Sequence, residues 1–136
     1  MTGHCLCGRV RFEITEPLTA WGYCHCTRCQ RRTGPAASPQ APLDASALRF
    51  LEGEEAVRAY RPPDGFEKLF CAECGSALFS RDPHDPATMS VRLGVLDGDP
   101  GVPASWRQHL ASAASWEPVP DDGVPRFEGH RSAARA

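Results

Sequence analysis

The chain has 136 residues, 41% of them hydrophobic and 24% charged, which is the make-up of one ordinary globular domain. A formal charge of −2 and a pI near 6.2 exclude a nucleic-acid binder held by bulk positive charge. No stretch approaches the ~18–20 apolar residues of a membrane span, so no membrane partner is expected.

The start, Met1-Thr2-Gly3-His4-Cys5, has neither the basic opening nor the apolar centre of a secretion signal, which reads as a cytoplasmic protein. Val10-Arg11-Phe12-Glu13-Ile14 alternates with period two, as a half-buried strand does. A short helix is expected at Arg28–Arg32. Leu48–Leu51 and Ala56–Tyr60, separated by Glu52-Gly53-Glu54, read as the two arms of a hairpin. Lys68-Leu69-Phe70 and Ala77-Leu78-Phe79 read as a second hairpin, and Met89–Leu93 alternates again. Thirteen prolines and twelve glycines leave little room for long helices. These signs predict an all-β single domain over residues 1–127 with many loops and one short helix, followed by a frayed tail at 128–136.

Seven cysteines stand out in a chain read as cytoplasmic. Disulfides rarely persist in that compartment, and an odd count fits a disulfide framework poorly, so metal binding leads. The cysteines form three groups: Cys5 and Cys7 before Gly8; Cys24, Cys26 and Cys29; and Cys71 and Cys74 before Gly75. A C-x-x-C step followed by glycine aims two sulfurs at one ion. Cys5 and Cys7, on the same side of an extended segment, complement Cys71 and Cys74 in a closed four-thiolate zinc site. Such a site clips the first strand to the centre of the chain, closing a long loop where a cross-link helps most. Cys24, Cys26 and Cys29 can surround a second zinc from one turn. Three protein ligands leave a position open, the arrangement of a catalytic site.

Three thiolates overshoot the charge of zinc and make it a poor activator of water. Such an ion suits a substrate thiolate better, which points to sulfur chemistry. A second partition, with Cys26 and Cys29 joining Cys71 and Cys74, splits the compact middle group. His25 lies between two ligands and should point away from the ion, as a packing or surface residue more readily than a fourth ligand. With seven thiolates and two dications, the formal charge would move from −2 to −5. Arg28, Arg31 and Arg32 beside the middle group can offset it, or can receive the carboxylates of an acidic substrate. His4 and His109 read as structural or surface residues, and Trp21, Trp106 and Trp116 as core or pocket wall.

The segments Gly3–Glu13, Cys24–Gly34, Phe70–Leu78, Leu93–Asp97 and Trp116 through Phe127 together resemble the glutathione-dependent formaldehyde-activating enzyme family, which includes centromere protein V. The resemblance implies a β-tent fold, a structural zinc on Cys5, Cys7, Cys71 and Cys74, and a catalytic zinc on Cys24, Cys26 and Cys29. It further implies a carbon–sulfur lyase acting reversibly on the adduct of a small thiol, glutathione, with formaldehyde or a related aldehyde. By analogy the arginines and the loop Thr33–Pro42 would contact the rest of the ligand. The competing reading is a non-catalytic zinc-stapled binding module. A thiol reductase is a third reading, and it would need a free cysteine of low pKa. The open three-thiolate site is expected to be the easier of the two to strip.

Overall fold

The computed structural model describes residues 1–132; the last four residues of the expected tail lie outside the described residues. The chain is mostly β. In order, the elements are β1 (Thr2–His4), β2 (Arg11–Ile14), β3 (Gly22–Cys24), α1 (Thr27–Thr33), β4 (Ser38–Asp44) and β5 (Leu48–Glu52). There follow β6 (Val57–Tyr60), β7 (Glu67–Cys71), β8 (Ala77–Arg81), β9 (Thr88–Arg92) and β10 (Trp106–Gln108); among the described residues three single turns of 3-10 helix lie between strands and a fourth, Leu110–Ser112, follows β10. Among the described residues no helix is long and apolar enough to cross a membrane.

The chain divides into two compact units, each discontinuous in sequence. The first comprises Met1–Thr19 and Ala41–Gly101. In it β2 lies between β1 and β5, both antiparallel to it. The C-terminal half of β4 leads a second row in the order β4-β9-β8-β7-β6. Alternation explains the core: Phe12 and Ile14 of β2 and Leu69 of β7 are buried while their neighbours along the strand are less so. Phe12 from β2 and Phe50 from β5 meet Phe79 of β8 edge-on, at centroid distances of 5.0 and 6.0 Å, so an aromatic trio joins the two rows.

The β7–β8 hairpin forms, with Leu69 opposite Phe79. The hairpin expected over residues 48–60 does not. Its arms are strands, but β5 pairs with β2 and β6 with β7. Gly53 explains the divergence. It takes φ +76° and opens a 3-10 turn over Glu54–Ala56 that redirects the chain. A Cβ there would stand 2.0 Å from the Arg9 carbonyl oxygen, a backbone atom that cannot step aside. Gly53→Ala is therefore expected to cost about 2 kcal/mol or more in denaturant unfolding, through left-handed strain plus the clash.

The second unit comprises Ala20–Gln40 and Val102–Ala136. Here β3 pairs antiparallel with the N-terminal half of β4 and parallel with β10, placing Arg107 opposite Tyr23 and Gln108 opposite Cys24. Gly22 permits this approach, since a Cβ would strike the Trp106 ring at 2.3 Å. The closing segment is hydrogen-bonded to the same region: the Arg107 N–H donates to the Pro125 carbonyl at 2.8 Å, and the Phe127 N–H to the Arg107 carbonyl at 2.9 Å. Within the stretch expected to fray, the His109 N–H donates to the Gly129 carbonyl at 2.8 Å, and Arg131 lies over the Trp106 ring at 4.2 Å.

Candidate metal centres

The first centre is built from two matching turns of the first unit. The Gly8 N–H donates to the Cys5 carbonyl at 3.1 Å, and the Gly75 N–H to the Cys71 carbonyl at 2.8 Å. Both glycines adopt left-handed backbone, at φ +77° and +78°, which a side chain would strain. Each turn therefore brings its two sulfurs to one side. The Sγ atoms of Cys5, Cys7, Cys71 and Cys74 lie within 4.8 Å of one another. Cys5 and Cys71 are fully buried and Cys7 is exposed.

All seven cysteines are free thiols. Cys5 and Cys7 stand 3.6 Å apart and Cys7 and Cys71 4.0 Å, far beyond the ~2.05 Å of a disulfide. A tetrahedral ion with metal–sulfur bonds of ~2.3 Å sets its sulfurs ~3.8 Å apart, so the donor set fits zinc in both type and spacing.

The second centre belongs to the other unit. The Sγ atoms of Cys24, Cys26 and Cys29 also lie within 4.8 Å of one another, with no fourth His, Cys, Asp or Glu donor in the group among the described residues. Cys24 ends β3, Cys29 lies on the buried face of α1, and Cys26 caps that helix, its sulfur accepting the Cys29 N–H at 3.4 Å. Three donors within six residues thus come from one strand-to-helix turn. The four-thiol group is the one joining Cys5 and Cys7 to Cys71 and Cys74; Cys26 and Cys29 group with Cys24 instead.

Electrostatics within each group resist full ionisation. S–H donation from Cys24 and Cys29, together with the Cys29 and Arg28 N–H groups, holds the Cys26 thiol far below its usual range despite burial. The same sharing with Cys26 and Cys29, with burial added, pushes Cys24 far up. In the other group, the Arg9 N–H favours the Cys7 thiolate, yet burial and the neighbouring thiols push Cys7 up to about 12. Burial opposes the Cys74 thiolate, but the Ser76 hydroxyl and N–H bring it down to about 5. In the four-thiol group Cys5 and Cys74 are thus favoured as thiolates while Cys7 and Cys71 are held back, and in the three-thiol group Cys26 is favoured at the expense of Cys24; a divalent cation is what would let the remaining thiols ionise.

Arg28, Arg31 and Arg32 lie on α1, Arg28 between Cys26 and Cys29 and the other two just beyond Cys29 in the last turn of the helix. His25 joins neither group of potential ligands. It is 3% exposed, and its Nε2 lies 3.3 Å from Nη1 of Arg107. His4 pairs through Nδ1 with Asp97 at 2.6 Å, and His109 faces His130 across 6.1 Å. Of the tryptophans expected in core or pocket wall, Trp106 is buried and Trp21 half-buried, its Nε1 donating to the Val102 carbonyl at 2.7 Å. Trp116 is instead 64% exposed, because it falls in the loop after the last 3-10 turn, outside any strand that would bury it.

Two side chains escaped the sequence reading. Arg107 is buried in β10, and Asp122 binds it at 2.8 Å, a pairing that holds the Asp122 carboxyl below its ordinary range. No motif surrounds Arg107. The only hint was an arginine next to a tryptophan.

Fold and site together define a mostly-β protein with one four-thiol and one three-thiol centre, each able to hold a metal ion. The model of the family described as glutathione-dependent formaldehyde-activating enzyme matches residues 1–112, and the chain belongs to that family. A Halomonas elongata protein provisionally named glutathione-dependent formaldehyde-activating enzyme is 29% identical over 124 residues, covering 85% of this chain and 78% of that one. A crystal structure of a Rhodobacter sphaeroides protein superposes with a TM-score of 0.60 at 28% identity, covering 73% of this chain and 90% of that one.

Proposed function

We propose that the chain is a zinc-dependent enzyme that makes and breaks a carbon–sulfur bond between a small thiol, glutathione or a relative, and formaldehyde or a related aldehyde. The observation that carries the reading is the three-thiol group on Cys24, Cys26 and Cys29, which lacks a fourth protein donor among the described residues. Zinc bound there would offer its open position to a substrate thiolate and keep it nucleophilic. In the forward direction the substrate sulfur bonds to the aldehyde carbon, the carbonyl π pair moves to oxygen, and the thiol proton ends on that oxygen. In the reverse direction the carbon–sulfur bond breaks. Cys5, Cys7, Cys71 and Cys74 would hold a second zinc whose role is structural.

The protein's part is to bind, orient and balance charge. Arg28, Arg31 and Arg32 would receive the carboxylates of the thiol substrate, since a guanidinium matches a carboxylate two bonds at a time. The distribution of charge supports an anionic ligand at this unit. By sequence, Ala20–Gln40 and Val102–Ala136 carry seven arginines against four acidic side chains, a formal +3, whereas the other unit carries −5. A cationic unit raises the local concentration of an anionic substrate.

Calorimetry tests the reading. Zinc-loaded wild type should bind glutathione, and Cys26→Ser should bind it at least about tenfold more weakly, a loss of ~1.4 kcal/mol or more. Formation of the hydroxymethyl thioether, followed by exchange NMR with labelled formaldehyde, should fall with it. Equal binding by the variant would refute the zinc–thiolate model. A wild type that binds no small thiol would leave a non-catalytic, zinc-stapled binding module in its place.

A further inference from the structure

Arg107 lies in β10 with its side chain 8% exposed, and all of its polar groups are directed. Nε and Nη2 donate to Oδ2 of Asp122 at 3.3 and 2.8 Å. Nη1 faces Nε2 of His25 at 3.3 Å, and the guanidinium lies over the Tyr23 ring, 4.1 Å from its centroid. A guanidinium only donates, so His25 Nε2 accepts and the ring proton sits on Nδ1. Asp122 is itself held by the Val124 N–H at 3.1 Å.

His25 is the residue between Cys24 and Cys26, and its backbone is pinned on both sides. Its N–H donates to the Gln108 carbonyl at 3.0 Å. Its carbonyl accepts from the Gln30 side chain at 2.8 Å, and that amide also donates to the Ser112 carbonyl at 3.0 Å. Side chains alternate along an extended segment, so the direction of the His25 ring sets the opposite direction for its two cysteine neighbours.

We propose that Arg107 is the positioning residue of the three-thiol turn: anchored on Asp122 and stacked on Tyr23, its fork holds the His25 ring and thereby aims Cys24 and Cys26 at one ion. The role rests on the reading of Cys24, Cys26 and Cys29 as a metal site. It differs from an ordinary buried ion pair because its effect is specific to one of the two centres. Groups that orient metal ligands without touching the metal typically change affinity about 10–100-fold.

The test uses the full chain loaded with zinc, or with cobalt for its absorption bands, and competes each ion away with chelators of graded strength. Wild type should release two ions in separate steps. Arg107→Gln should release the more labile ion about 10–100-fold more readily and alter its cobalt bands, with the other ion unmoved as internal control. Arg107→Lys should not restore it, because a lysine ammonium lacks the planar fork and the stack. Asp122→Asn, which leaves Arg107 in place, should shift the labile ion in the same direction by a smaller factor. If Arg107→Gln does not fold, Asp122→Asn carries the test, and wild-type affinity there overturns the proposal. Two ions in wild type with an unaffected Arg107→Gln remove this inference alone. One ion in wild type removes the reading of Cys24, Cys26 and Cys29 as a metal site, and this inference with it.

Discussion

Cys71→Ser is expected to lower the unfolding free energy by roughly 4 kcal/mol and to release one metal ion per chain. Cys71 is fully buried, and its sulfur lies 4.0 Å from that of Cys7, 64 positions earlier in sequence. A cross-link closing a loop of that length stabilises by roughly 4 kcal/mol in the chain-entropy model. The serine hydroxyl does not ionise near neutral pH, so the remaining thiolates would hold the cation poorly. Burial and the neighbouring thiols, which already push Cys7 up to about 12, would then oppose ionisation with no cation to offset them. Urea unfolding combined with metal analysis checks this, and a strong chelator added to wild type should reproduce the loss. A variant that loses the ion but keeps its unfolding midpoint would show that the four-thiol centre does not hold the fold together.

Glu67→Ala is expected to cost about 3 kcal/mol, the lower end of the range for breaking a buried ion pair. The Glu67 side chain is 3% exposed. Its Oε1 accepts from Nε of Arg61 at 2.7 Å, and its Oε2 from Nε and Nη2 of Arg81 at 2.8 and 2.7 Å. Glu67 and Arg81 are also cross-strand partners in the β7–β8 ladder, so the carboxylate ties that hairpin to the turn preceding it. The cost stays at the lower end because Arg61 and Arg81, 71% and 37% exposed, can turn to water when the carboxylate is removed. Glu67→Gln keeps an acceptor and should cost less.

The same group sets a pH dependence. Hydrogen bonds from Arg61 and then Arg81 hold the Glu67 carboxyl below its ordinary range, outweighing burial. The folded state therefore binds this proton more weakly than the unfolded chain. Its stabilisation is complete above the unfolded pKa of ~4.3 and is lost as the pH falls through the lower folded value. Metal release acidifies stability as well, because thiolates protonate. The informative quantity is thus the difference between wild type and Glu67→Gln, which should shrink as the pH drops below about 4. A difference that stays constant from pH 7 to pH 3 would contradict this role for Glu67.

What could be read from the residues was local. The C-x-C step followed by Gly8, the C-x-x-C step followed by Gly75, the period-two run ending at Ile14, and the β7–β8 hairpin all depend on backbone geometry within a few positions. The helix was placed at Arg28–Arg32 and spans Thr27–Thr33, an ordinary error at helix ends. The hairpin over residues 48–60 failed because alternation identifies strands without identifying partners. Gly53 suited a hairpin turn, yet it serves a redirecting one, forced by the Arg9 backbone against it.

The amino-acid sequence by itself determined the thiol content, its division into three short groups, and the turns that aim each group, since these follow from spacing and from glycine's access to positive φ. Tertiary structure alone decided that β10 lies parallel to β3, and that Arg107, Asp122 and His25 converge. The reason is physical. Those contacts join segments many positions apart, and neither a side chain's burial nor the partner of its charge has a local signature. A cysteine pair carries its geometry with it, whereas an arginine acquires a role only from what packs around it.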